Sequence, residues 1–262
     1  MFRILFIGDI FGEPGRLAVK TLLPELRQKH KIDMVVANCE NTANGRGINK
    51  KQAQELLSMP IEAMTSGNHI WHASDIYPFL NEQNSRVLRP ANLPQSAPGR
   101  GAVIVEVRGL RVAVFNIMGQ VFMNPPTDNP FDCVDRLIDR YRDESDLMLL
   151  DMHAETTSEK RAMGWHVDGV IQAVVGTHTH VQTADEQILT KGTAYITDLG
   201  MTGPQDSVIG MKKESVLHRQ RTTLPVKFEV AEGDVRLHGA IVDIDERSKK
   251  ALNIVRVMEK FR

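Results

Sequence analysis

Three short apolar runs, each ending at a polar turn and separated by helical periodicity, constrain this chain more than any other feature. The first covers 3–10 (RILFIGDI) and stops at Gly8-Asp9. Val19, Leu22, Leu23 and Leu26 then fall at i, i+3, i+4 and i+7, the spacing of one apolar helix face. The second run, 34–40 (MVVANCE), opens into the polar loop 41–47, which is rich in turn residues. Asn49 and Gln52 have the spacing of a capping box and predict a short helix carrying Ala53, Leu56 and Leu57. A third run, 63–66, exits through Gly67-Asn68-His69. The order β-α-β-α-β requires crossovers, and crossovers within one sheet are right-handed. The first third therefore predicts parallel strands.

Beyond residue 88 the pattern changes. Residues 89–101 hold three prolines and read as a connection without a core of its own. The runs 102–107 and 110–117 predict a hairpin turned at Arg108-Gly109. Pro130, at a first-turn position, opens a helix with Val134, Leu137, Ile138 and Tyr141 on one face. Residues 147–152 read as a buried strand ending at His153, and Thr156 with Glu159 predicts a second capping box. Residues 173–175 lead to Gly176-Thr177-His178-Thr179-His180, where Gly176 is expected to let the backbone turn out. In extended chain His178 and His180 face the same side. Short antiparallel strands are expected at 186–189, 193–197, 225–230 and 235–244, with a last strand at 251–258. No repeat or linker separates two halves, so 1–262 reads as a single domain with two sheets.

Composition removes several classes of function. With 42% hydrophobic and 25% charged residues, the 262-residue chain can bury a large core. The net charge is -1 and Lys and Arg are scattered, which gives no basic face for long duplex nucleic acid. Small phosphorylated substrates remain compatible, because a metal can carry the positive charge. Cys39 and Cys133 have neither metal-binding nor redox spacing and fit a reducing, cytoplasmic compartment. The N-terminal apolar run is too short for a signal peptide, and no run is long enough to span a membrane.

The chemistry gathers at strand tips. Asp9, Glu40 with Asn41, Asn68 with His69, His153, and His178 with His180 close five separate strand candidates. In open α/β sheets ligands bind in the crevice beyond the strand C-termini. Each residue alone has a structural role to offer: Asp9 as a helix cap, Asn41 and Asn68 as turn residues, the histidines as hydrogen-bonded rim groups. Five such tips together point to a common site. Seven candidate ligands (Asp9, Glu40, Asn41, Asn68, His153, His178, His180) exceed one tetrahedral ion and predict two, roughly 3.5–4 Å apart, with Glu40 as the natural bridge. Oxygen and imidazole donors without thiolate suit iron, manganese or zinc. Cys39 is expected to point away into the core. Arg46 follows Glu40 closely and is a candidate contact to a phosphate or a base; a solvated loop is the alternative. His72 is expected on a helix face, and His30, His166, His218 and His238 read as structural. The glycine-rich stretch 200–210 reads as a lid or as a subunit contact in a homo-oligomer.

The motifs in chain order are 7–12 (IGDIFG), 38–43 (NCENTA), 65–69 (TSGNH), a lone His153, 176–180 (GTHTH) and 197–201 (TDLGM). This set resembles the calcineurin-like metallophosphoesterase superfamily. That superfamily normally carries Asp-x-His at the first strand, where this chain has Phe11. It carries Asp at the second, where Glu40-Asn41 stands, and Asn-His-Asp/Glu at the third, where Ile70 stands. These departures match its YmdB-like branch, in which Asn at the Asn41 position makes up for the missing histidine. The resemblance runs over nearly the whole chain. It implies an α/β fold with α+β elements, a four-layer αββα sandwich with two mixed sheets. It implies one ion on Asp9, Glu40, Asn41 and His180 and a second on Glu40, Asn68, His153 and His178. The ions would be divalent or mixed-valence, iron first, manganese or zinc next. It further implies a metal-bridging hydroxide as nucleophile and His69 as general acid. The implied activity is that of a 2',3'-cyclic-nucleotide 2'-phosphodiesterase, opening small cyclic nucleotides to nucleoside 3'-phosphates. Alternatives are a phosphomonoesterase or nuclease on the same scaffold, or a regulatory protein in which catalysis is secondary.

Overall fold

The first strand decides the layering. In β1 (Phe2–Ile7), Phe2, Ile4 and Phe6 face one side and Leu5 and Ile7 the other, and all five are buried. A strand apolar on both faces has to be covered on both. In the computed structural model, which describes residues 1–261, a second sheet covers one face and helices the other.

In chain order β2 (Asp9–Ile10) is followed by α1 (Gly12–His30), β3 (Met34–Asn38), α2 (Lys50–Leu57), β4 (Ala63–Thr65) and α3 (Ile76–Leu80). Next come β5 (Ala102–Val107), β6 (Leu110–Met118), α4 (Pro130–Tyr141), β7 (Leu147–His153), α5 (Thr157–His166) and β8 (Ala173–Thr177). The last elements are β9 (Gln187–Ile188), β10 (Ala194–Ile196), β11 (Met201–Pro204), α6 (Lys213–Thr222), β12 (Val235–Ile244) and β13 (Ala251–Lys260). One sheet runs β2-β11-β12-β1-β3-β4, with β13 paired to β12; the other runs β5-β6-β7-β8-β10-β9. Both are mixed, because β1-β3 and β6-β7 are parallel while β1-β12 and β5-β6 are antiparallel.

Three apolar clusters mark three interfaces between four layers. Ile4, Phe6 and Val36 meet Val114, Leu149 and Val175 between the sheets. Leu5, Ile7 and Val35 lie with Val19, Leu23 and Leu26 of α1. Phe115, Leu150 and Val174 lie with Val134 and Ile138 of α4 and Met163 of α5. The αββα sandwich expected from the sequence is the observed architecture.

Several expectations are corrected. The run 3–10 breaks at Gly8, so that Gly8 N–H donates to the His238 carbonyl at 3.0 Å and Asp9 pairs with Met201 instead. Residues 225–230 form no strand; only Val230 bridges to Met211. The 193–197 run pairs in parallel with β8 as well as antiparallel with β9. Thr156 does not cap α5: its hydroxyl donates to the Glu159 carboxylate, which is taken up by the N–H groups of Gln120 and Val121. Within the stretch 200–210, expected as a lid or a subunit contact, Met201–Pro204 form strand β11, and helix α6 is an element that the sequence did not predict.

Candidate active site

The parallel strands β1, β3 and β4 end together, as do β6, β7 and β8 of the facing sheet. Buried polar contacts tie the two sets: Asn38 Nδ2 donates to Asp151 at 3.3 Å, and Thr65 donates to the same carboxylate. Glu40 lies fully buried in the middle. Its Oε2 accepts from the His69 N–H at 3.1 Å, and its Oε1 lies 3.2 Å from His153 Nε2 and 3.4 Å from Asn41 Nδ2. Asn41 Nδ2 also sits 3.3 Å from Asp9 Oδ1 and 3.1 Å from His180 Nε2. His153 Nε2 is 3.0 Å from Asn68 Oδ1 and 3.1 Å from His178 Nδ1. All seven residues expected at the strand tips therefore share one cleft, and His69 joins them through Nδ1, 2.9 Å from Asn41 Oδ1.

The local backbone explains the convergence, and not always as expected. Gly67 packs against the His153 ring, and a Cβ there would overlap it. Gly176 does not turn the chain; β8 continues to Thr177, and the missing side chain admits the Thr197 carbonyl instead. The turn comes after it. His178 and His180 have φ of 101° and 65°, so they reach the cleft from a left-handed turn and not from a pleat. Asp198, fully buried, braces that turn: it accepts from Thr179 N at 3.1 Å, Thr179 Oγ1 at 2.7 Å and Lys160 Nζ at 2.7 Å. His153 Nδ1 lies 2.9 Å from Thr177 Oγ1, whose hydroxyl donates to Asp151 at 2.7 Å. That chain leaves Nε2 as the edge facing Glu40.

Charge balance is dominated by burial and by one ion pair. Burial alone pushes Glu40 up, but His153 and His69 overcome it and hold its carboxyl below the usual range. Burial likewise opposes charge on His153, and Glu40 reverses this to about 9. Burial raises Asp9 to about 6 against the pull of His180 and His153. It lowers His178 to about 3, with His153 adding to the effect, and His69 to about 4 against the pull of Glu40.

This donor set fits metal ions. Glu40, His153 and His178 each offer a ligand atom within 4.8 Å of the others. A second group of acceptors, Asp9 Oδ1, Glu40 Oε1 and His180 Nε2, surrounds the Asn41 amide, so electropositive character is already accommodated there. Oxygen and imidazole donors of this kind suit first-row divalent cations. His69 and His180 also line an adjoining pocket of about 370 Å3, together with Arg46, Phe11, Met211 and Phe228. Arg46 is exposed at the rim of that pocket, on the loop after Glu40. His72 lies on a turn and packs edge-on against His69, 5.2 Å between centroids, and not on a helix. Cys39 is buried, its thiol donating to the Thr65 carbonyl. Asp151 and Asp198 were missed as site residues. The first is the one acid inside the apolar run 147–152, a signal that the chain could have given.

The sequence model of the YmdB-like protein family matches residues 5–257. A Bacillus subtilis (strain 168) protein described as 2',3'-cyclic-nucleotide 2'-phosphodiesterase is 48% identical over 256 residues, covering 98% of this chain and 96% of that one. A crystal structure of a phosphatase from Mycoplasma pneumoniae has a TM-score of 0.91 at 35% identity, covering 99% of this chain and 94% of that one. At the level of fold alone, a 5'-nucleotidase precursor from Thermus thermophilus has a TM-score of 0.57 at 12% identity, covering 99% of this chain and 54% of that one.

Proposed function

Because the chain belongs to the YmdB-like protein family, we propose that it is a dinuclear metal phosphodiesterase that opens 2',3'-cyclic nucleotides to nucleoside 3'-phosphates. The observation that carries this reading is the convergence of six amide, carboxylate and imidazole side chains around a buried Glu40, in a chain 48% identical to a protein of that description. Asp9, Glu40, Asn41 and His180 would hold one ion, and Glu40, Asn68, His153 and His178 the other. Iron suits this set, with manganese or zinc as substitutes. Ions held there supply an acidified water and countercharge for the phosphoryl oxygens.

The chain's own residues supply the proton and the grip. Water adds to phosphorus, the bond from phosphorus to O2′ breaks, and the phosphate stays on O3′. The leaving O2′ takes its proton from His69. The His69 backbone is tied to Glu40 and its Nδ1 to Asn41, which leaves Nε2 for the substrate. Burial lowers this imidazole to about 4 against the pull of Glu40, and an anionic substrate beside it would draw the pKa up. Arg46 meets the phosphate or base, and the apolar walls of Phe11, Met211 and Phe228 take the nucleoside.

The likeness to a Mycoplasma phosphatase supports one second reading, phosphomonoester hydrolysis at the same site. Turnover of 2',3'-cAMP, 3',5'-cAMP, nucleoside monophosphates and short RNA by the metal-loaded protein separates the two. Preference for 2',3'-cAMP with release of 3'-AMP is expected, and no turnover of any cyclic diester overturns the proposal.

A further inference from the structure

Four arginines line a second cavity, of about 880 Å3, that shares no residue with the pocket beside the cleft. It lies against β5, with Arg89 and Arg100 from the connection before that strand and Arg136 and Arg140 one turn apart on α4. Elsewhere on the surface Arg108, Arg142 and Arg236 each face a carboxylate. The four in the cavity have none among the described residues. Arg89 donates to the Pro90 carbonyl at 2.8 Å and Arg100 to the Glu82 carbonyl at 2.9 Å. The one acidic side chain on the wall is Asp128.

Arg89 makes the arrangement costly. It is only 6% exposed, its Nε is buried without a partner, and burial draws its pKa down. Four guanidinium groups on a wall with a single carboxylate leave an excess of positive charge, and a buried guanidinium is disfavoured until an anion reaches it. Their planar forks match phosphate oxygens in paired hydrogen bonds. The cavity is far larger than one phosphate, and its wall includes the Tyr141 ring and the apolar edge of β5. We infer that this cavity binds a nucleoside polyphosphate, its phosphates on the guanidinium groups and its base against the apolar edge of β5.

Isothermal titration of the full chain with ADP, pyrophosphate and adenosine tests this. ADP and pyrophosphate are expected to bind and adenosine not to. The double variant Arg136→Gln/Arg140→Gln should weaken both ligands at least ten-fold with an unchanged unfolding temperature. Arg221→Gln/Arg247→Gln removes the same charge elsewhere on the surface and should change neither. Saturating 3'-AMP, directed at the other pocket, should leave ADP binding intact. Failure of the wild type to bind ADP overturns the inference. So does equal binding by the two double variants, or displacement of ADP by 3'-AMP.

Discussion

Asp198 shows how a residue outside the cleft decides the position of those within it. The turn it braces holds two histidines at positive φ, a conformation that costs energy for any residue but glycine. Its partner Lys160 is 1% exposed, so the pair lies in the interior. Asp198→Asn leaves that ammonium buried and unpaired and is expected to destabilise the protein by about 3 kcal/mol. Lys160→Met should relieve part of this in the double variant, a coupling above about 1 kcal/mol in a thermodynamic cycle. Metal content should fall with Asp198→Asn, because the imidazoles lose their register. His69→Ala separates in the opposite sense: if the ring donates the proton and holds no ion, as proposed, turnover is expected to drop by about 10²–10⁴-fold while metal content stays. A retained rate would remove His69 from the chemistry. The cleft residues were legible because a polar side chain closing an apolar run stands out. The route taken by His178 and His180 was not, since alternation describes a strand and gives no sign of a turn held from another segment.

Helix caps separate what is local from what is not. Asn49 accepts from Gln52 N at 2.8 Å and Gln52 returns the bond at 3.1 Å, as four residues of sequence already say. Thr156 and Glu159 have the same spacing, yet Glu159 is drawn away by the N–H groups of Gln120 and Val121. Asn49→Ala is expected to cost about 1 kcal/mol in urea unfolding, and Thr156→Ala less than half as much. Equal losses would mean that the hydroxyl caps α5 after all. The same contrast explains the elements that were missed. No residue of α6 is buried, so it carries no apolar stripe to read. Strand β11 contains Gly203 and Pro204, poor strand formers, and exists because Asp9 and Ile10 offer it an edge. Between the sheets the signal was plentiful, since β1 and β8 are apolar on both faces.

Across the whole molecule, β12 is the strand on which the first sheet depends: it pairs with β1, β11 and β13. His238 sits in it, 5% exposed, with neither ring nitrogen hydrogen-bonded. Burial and Arg236 depress its pKa to about 4, against an opposing pull from Asp234. The unfolded chain, near 6.5, then takes up a proton that the folded chain refuses. Stability from this site is therefore complete above about pH 6.5 and is lost as pH falls towards about 4. Asp9 works in the other direction, since an acid raised to about 6 favours the folded state as pH falls below that value. The Asp9 contribution belongs to the cleft and changes with whatever charge the cleft holds. The His238 contribution lies outside it and should persist in metal-loaded and chelated protein alike. His238→Leu removes the titrating group and roughly keeps its volume. Between about pH 7.5 and 4.5 the wild type should lose about 2 kcal/mol more than this variant in urea unfolding, with or without chelator. Parallel losses in the two proteins would show that His238 accepts its proton in the folded state, and the acid sensitivity would then have to come from the cleft.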